Sequence, residues 1–239
     1  MSRLLNVLIV VPMLACLTPL PGLALAPYSQ DFEGLDAGYA GALADDGWWV
    51  YGNVFGPDWS YWYGYGPFPA PNHSLAFSQI VIGEGGPDQG AQALVVFSDY
   101  QNGDHANGAH IESNVFQEQI IGAGDVGQTW DFDFQAKLGN LEGATTALAF
   151  IKTLDPNSGY AMTNFITVDM TNIPATWSDY SLAIVIDESL VNQILQFGFA
   201  NTATNYEGSG VFYDNINFRI DVPSPAEPAT WSKVKALYR

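Results

Sequence analysis

The sequence predicts an all-β protein: one antiparallel β-sandwich of the jelly-roll kind, a single domain after a signal peptide. Three observations carry this. Several segments alternate apolar and polar residues with period two, turn-forming clusters separate them, and no helical heptad competes. Trp130-Asp131-Phe132-Asp133-Phe134-Gln135-Ala136-Lys137 is the clearest alternation, and 92–97, 109–117, 147–153, 160–170, 180–186, 194–200 and 210–220 read similarly. Between them lie Gly83-Glu84-Gly85-Gly86-Pro87-Asp88, Asn102-Gly103-Asp104, Gly122-Ala123-Gly124-Asp125 and Asp155-Pro156-Asn157-Ser158-Gly159, all rich in residues that favour turns. Only 187–193 suggests a helical turn. About ten short strands without intervening helices define a sandwich or jelly roll.

Composition agrees. Hydrophobic residues make up 48% and charged residues 13% of 239, enough apolar surface for a core and too little charge for a disordered chain. Residues 1–26 read as a signal peptide: Arg3, an apolar run over 4–17, then Ala24-Leu25-Ala26. The run contains Pro12 and is too short to span a membrane, and no second run of about 20 apolar residues follows. Secretion is therefore expected. Met13-Leu14-Ala15-Cys16 loosely resembles a bacterial lipoprotein box, which leaves a lipid-anchored or periplasmic location as the alternative. Cys16 is the only cysteine, so cleavage after Ala26 leaves a mature chain that cannot form disulfides.

The domain is expected over 27–221, with a Pro-rich linker and a short basic tail over 222–239. The tail holds Lys233, Lys235 and Arg239. It reads either as a segment recognised by export or anchoring machinery or as a tail drawn back onto the acidic domain. The formal charge is −18, and between Pro27 and Asp221 only Lys137, Lys152 and Arg219 are basic. Nucleic acid and anionic lipid are repelled by such a surface, whereas neutral glycans and divalent cations are compatible with it.

Candidate site residues fall into three groups. In the last strand Asp214 shares parity with Phe212, Ile216 and Phe218, so its carboxylate is expected to point with the apolar side chains and to need a partner. In Gln30-Asp31-Phe32-Glu33-Gly34, Asp31 and Glu33 lie opposite Phe32. A jelly roll commonly places its first and last strands side by side. An alternative is that Asp214 caps a turn and Glu33 is solvated.

The second group is aromatic. Trp48, Trp49 and Tyr51 precede Trp59, Tyr61, Trp62, Tyr63, Tyr65 and Phe68 in a segment rich in Gly and Pro. Exposed rings of this kind bind the C–H faces of sugars, while Asn53, Asp58, Asn72 and Gln89 are candidates to bond the hydroxyls. Alternatively the rings form a small core beneath a long loop. The third group, Asp99 to Glu112, holds acids, amides and two histidines, fits no EF-hand or zinc spacing, and is largely explained by turn chemistry. Asn72-His73-Ser74 spells a glycosylation sequon.

The opening Asp31-Phe32-Glu33-Gly34, the mid-chain segment Gly127 to Lys137 and the closing Gly210-Val211-Phe212-Tyr213-Asp214-Asn215-Ile216 resemble jelly-roll carbohydrate-binding modules with a galactose-binding-like fold, of the family 4/9 type, in a secreted bacterial protein. The resemblance covers most of 27–218; the stretch from Tyr51 to Gly90 is longer than in such modules. It implies a structural calcium tying the first strand to the last, with Glu33 and Asp214, and also Asp31, among its ligands. Calcium suits six to eight hard oxygens in flexible geometry.

No G-x-S-x-G elbow and no cysteine motif supports nucleophilic catalysis, and no catalytic residue is assigned. Glu112 and Glu118 share one parity and are the nearest thing to a carboxylate pair. The expected function is a secreted, non-catalytic sandwich that binds carbohydrate or an extracellular matrix component. A polysaccharide hydrolase or lyase on the same scaffold, and a surface structural protein, are the alternatives.

Overall fold

The structure, a computed structural model, describes residues 24–68 and 77–221. The body of the expected signal peptide with Cys16, the sequon at Asn72, and the linker and basic tail at 222–239 lie outside the described residues.

The described chain is all-β, with twelve strands in two antiparallel sheets forming a β-sandwich. They are β1 (Tyr28–Gln30), β2 (Trp49–Phe55), β3 (Tyr61–Tyr65), β4 (Ser78–Ile82), β5 (Gln92–Val96), β6 (His110–Ile120), β7 (Thr129–Leu138), β8 (Thr146–Asp155), β9 (Ala161–Asp169), β10 (Ser178–Val185), β11 (Ile194–Ala203) and β12 (Val211–Ile220), with one helical turn α1 (Ala42–Asp45). The first sheet runs β10-β7-β12-β5-β4, and β1 also pairs with β12. The second runs β3-β2-β6-β11-β8-β9. The first and last strands are neighbours, as expected, through Tyr28↔Phe218 to Gln30↔Ile216. The turn expected over 187–193 is a 3-10 helix, Glu188–Leu190.

Alternation explains the layering. On β7 the even-numbered Trp130, Phe132, Phe134 and Ala136 are buried, while the odd residues between them reach the surface. Across the sandwich they meet Phe197 and Phe199 of β11. Tyr213 stacks on Phe199 at 3.6 Å between centroids and Phe218 on Phe197 at 4.2 Å, so aromatic contacts join the sheets directly. The packing starts at Leu25, which is buried and donates its backbone N–H to Asp125 at 2.9 Å. This contact lies just ahead of the expected domain start at residue 27.

One expectation from parity is corrected. Between Asp214 and Asn217 the β12–β7 register slips, Asp214 facing Gln135 and Asn217 facing Asp133. The inserted residue, Asn215, has φ +48°. Such a bulge adds one residue to one strand and reverses the alternation beyond it. Tyr213 and Ile216 therefore face the core, while Asp214 shares the outer face with Phe212. Asp214 is nevertheless fully buried.

Tyr213 is wholly buried and its hydroxyl has no hydrogen-bond partner. A desolvated, unpaired hydroxyl costs about 1–3 kcal/mol, so Tyr213→Phe is expected to raise the melting temperature by about 2–4 °C. Calorimetry checks this; a lower melting temperature would mean that the hydroxyl makes a stabilising contact.

Candidate functional site: an aromatic cleft on the second sheet

The register of the second sheet assembles a site on its outward face. Reading across β2, β6, β11, β8 and β9, one row is Trp49, Phe116, Gly198, Phe150 and Thr167. The row on one side of it is Glu118, Gln196, Lys152 and Phe165. On the other side lie Tyr51, Asn114, Ala200 and Leu148, then Asn53, Glu112 and Thr202. Neighbouring strands stand about 4.8 Å apart, so the aromatic row crosses the sheet as a strip bordered on both sides by polar groups. Part of this face, with Trp49, Asn114, Phe116, Glu118, Lys152 and Gln196 in its lining and Tyr61 and Tyr160 at its margins, forms a cleft of about 650 Å³.

The floor requires that both faces of the central strands be covered. β8 reads Ala147-Leu148-Ala149-Phe150-Ile151, apolar on both parities; Ala149 and Ile151 enter the core while Phe150 packs 6.4 Å from Phe116 in a small buried cluster with Ala200 on the other face. Gly198 stands between these rings because a Cβ there would overlap the Val115 carbonyl oxygen. A side chain is excluded at this point, and the row dips between its two phenyl rings.

The polar groups are held by one another. Glu112 accepts from the Asn53 and Asn114 amides at 2.8 and 2.9 Å, and Glu118 accepts from the Gln196 amide at 2.6 Å. The carbonyl oxygen of Gln196 is left buried without a partner. Lys152 lies with its ammonium 4.8 Å from the Phe150 ring centroid and 5.4 Å from that of Phe116, a cation–π arrangement. Burial pushes its pKa below the usual lysine value, and the charges of Glu112 and Glu118 oppose that shift. Each group thus has a fixed position before any ligand arrives.

The sequence-predicted aromatics divide sharply. Trp49 and Tyr61 line the cleft, with Tyr51. Trp48 is a core residue, 3% exposed, stacked on Phe199 and donating its indole N–H to Tyr28 at 2.7 Å. Adjacent residues on a strand point to opposite faces, which places Trp48 inside and Trp49 outside. Trp59, Trp62 and Tyr63 are exposed on the β2–β3 hairpin and do not border the cleft. Trp59 lies flat on His110 at 3.9 Å, and Tyr63 donates to Asp104 at 2.5 Å. Tyr65 and Phe68 pack against the main core. Of the candidate polar partners, Asn53 is in the cleft, Asp58 accepts from the backbone of Ser60, and Gln89 bonds Gln135.

Glu112 and Glu118 do share the outward face. Six residues along one strand separate them by about 20 Å, whereas hydrolytic carboxylate pairs stand about 5–9.5 Å apart, so these two do not make such a pair. The loop after β5 is held by turn chemistry, Asp99 and Asn102 accepting from the backbone N–H groups of Gln101 and Asp104 at 3.0 Å each.

At the β1–β12 end, Glu33 already has backbone partners within the protein. One of its oxygens accepts from the backbone N–H groups of Ala91 and Gln92 at 2.7 and 2.6 Å. The Gln92 amide in turn donates to the carbonyls of Phe32, Glu33 and Leu35. Glu33 is therefore a brace between the opening motif and β5. Asp214 accepts from Asn215 N–H through one oxygen, while its other oxygen is buried without a partner. Burial first, then the charges of Asp31 and Glu33, push its pKa up to about 7. An orphaned carboxylate oxygen near two further carboxylates is a donor set of the hard-oxygen kind that suits calcium. Among the described residues no three acidic, histidine or cysteine side chains converge on one point, so any ion there would complete its shell with carbonyls or water.

Fold and cleft together define a β-sandwich with a preformed aromatic groove. No protein-family model matches the sequence, and no curated protein does. Solved structures with similar folds include the xylan-binding CBM22-2 domain of Xyn10C from Paenibacillus barcinonensis (11% identity, 81% of this chain and 98% of that one, TM-score 0.46). A cyclase from Fischerella sp. TAU is similar at 13% identity over 84% of this chain and all of that one, TM-score 0.47. The enzymatically active domain of bacteriophage CBA120 tailspike protein 4 matches at 14% identity over 73% of this chain, TM-score 0.44, and the match covers 19% of that longer chain.

The two adjacent tryptophans give a test of the geometry. Trp48→Ala is expected to cost about 3–5 kcal/mol of stability. Trp49, 42% exposed, is expected to cost less than about 1.5 kcal/mol on the same replacement. Denaturant unfolding of both variants checks the difference, and equal losses would place both rings in the core.

Proposed function

We propose that the protein is a non-catalytic glycan-binding β-sandwich, exported from the cell, whose ligand lies across the strands of the second sheet. The observation that carries this is the exposed ring of Trp49, with Tyr51 and Tyr61 beside it in a cleft whose amides and carboxylates are already fixed for hydrogen bonding. Flat rings take the C–H faces of sugar rings, and fixed amides and carboxylates take their hydroxyls without the entropy cost of ordering flexible side chains on binding. The width of the sheet suits a linear polymer segment better than a single sugar. We place it with carbohydrate-binding modules of the family 4/9 type, following the motifs around Asp31, Trp130 and Asp214.

The test is retention of the purified chain on a panel of soluble and insoluble polysaccharides, with supernatants assayed for new reducing ends. The expected outcome is retention without product, lost in Trp49→Ala while the variant stays folded, with its melting temperature lowered by no more than about 6 °C. New reducing ends would establish an enzyme instead. Absence of retention on every polysaccharide would leave the cleft without a glycan ligand and favour a structural role.

Calcium belongs to the same proposal. Asp214 would hold the ion with main-chain carbonyls and water, and the charges of Asp31 and Glu33 would favour a cation there. A ligand bound only to the native state stabilises it by about 2.7 kcal/mol at one hundred times its dissociation constant. Chelation is therefore expected to lower the melting temperature of the wild type and leave that of Asp214→Asn unchanged. An identical melting curve with and without chelator in the wild type would remove calcium from the account.

A further inference from the structure

Three basic side chains fall among the described residues, and two are paired. Lys137 meets Glu84 at 2.9 Å and Arg219 meets Asp133 at 2.7 Å. Lys152 has no ion pair and no hydrogen bond to any oxygen among the described residues. Its stem is buried, its ammonium rests between the Phe150 and Phe116 rings, and it lines the cleft. The two nearby carboxylates are engaged elsewhere, Glu112 by two amides and Glu118 by Gln196. Removing an ammonium from water is costly unless an oxygen replaces the lost hydration, and cation–π contact makes up only part of that cost. The protein thus holds a half-buried cation over two buried rings, facing the cleft, without an oxygen partner of its own among the described residues.

We propose, building on the glycan reading above, that Lys152 determines specificity by accepting a carboxylate, so that the cleft selects glycans containing uronic acid residues. The position is central: Lys152 lines the same cleft as Trp49, Tyr51 and Tyr61, so a sugar stacked on the exposed Trp49 or Tyr61 ring would present its substituents toward the ammonium. A charge-assisted hydrogen bond in a partly desolvated site is worth about 1.5–3 kcal/mol. The overall charge of −18 opposes an anionic ligand, but at physiological ionic strength charges farther than about 8 Å are largely screened, so the nearest cation dominates contact.

The experiment measures affinity of the full chain for polygalacturonate and for alginate, each beside its carboxyl-reduced neutral form. The wild type is expected to bind at least one native polymer about tenfold or more tightly than its reduced form. Lys152→Gln is expected to bring that ratio close to one, and Lys152→Arg to retain most of it. Lys152→Met, which keeps the apolar stem, serves if the glutamine variant fails to fold. Equal or tighter binding of both reduced forms would overturn the proposal, as would a preference that survives the loss of the charge. Retention of neutral polysaccharides alone overturns it while leaving the glycan reading intact; retention of none, charged or neutral, overturns both.

Discussion

The packing of Phe197 and Phe199 against the rings of the first sheet is the contact on which the rest of the structure depends. These two residues alternate along β11 with Gln196, Gly198 and Ala200, so the same strand that locks into the core forms the floor of the cleft. With Tyr213 seated 3.6 Å from Phe199 and Phe218 4.2 Å from Phe197, β11 has little freedom to shift relative to the opposite sheet. The described region contains no cysteine, so this aromatic layer takes the role that disulfides play in many small exported domains. A rigid floor is what permits a preformed site.

The cleft also illustrates how a sheet covered on one face only can still bury both parities of its central strands. Almost every residue of β11 and most of β6 are buried, although only one face meets the core. The other face is covered by its own side chains, Phe116, Phe150, Asn114 and Gln196 among them, drawn together by amide–carboxylate bonds and by the lysine over the rings. Those bonds fix rotamers before binding, and preorganisation of that kind converts contact area into affinity. Trp59, Trp62 and Tyr63 of the β2–β3 hairpin lie outside this arrangement, and Trp59 on His110 forms a separate stack.

Much of the fold was legible in the sequence because alternation is a direct consequence of strand geometry. The eight segments read from period two all became strands, β5 through β12, and the pairing of β1 with β12 was expected from the opening and closing motifs. β2, β3 and β4 were hidden: Gly52, Gly56, Pro57, Gly64, Gly66 and Pro67 give the aromatic segment the composition of a loop, and β4 is short. The bulge at Asn215 was invisible to parity because nothing in the residue names announces an inserted residue, and it alone moves Asp214 to the outer face. Within the site, the outward parity of Glu112 and Glu118 was readable. The inside-and-outside split of Trp48 and Trp49 follows from the same rule applied to a strand that composition concealed. Phe150, Lys152 and Gln196 were missed because their meaning lies in cross-strand register. Their one sequence signal is that β8 and β11 are apolar on both parities.

The most direct test of the cleft is a titration of isotopically labelled protein with an oligosaccharide from the best-retained polysaccharide, followed by NMR of the side-chain indole and amide N–H groups. The indole of Trp49 and the amides of Asn114 and Gln196 should shift together and saturate at one stoichiometry, while the indoles of Trp48 and Trp130, buried in the core, stay in place. Shifts confined to Trp59 and Trp62 on the hairpin, or to the outer face of the first sheet around Trp177, would contradict the assignment of the ligand to the second sheet.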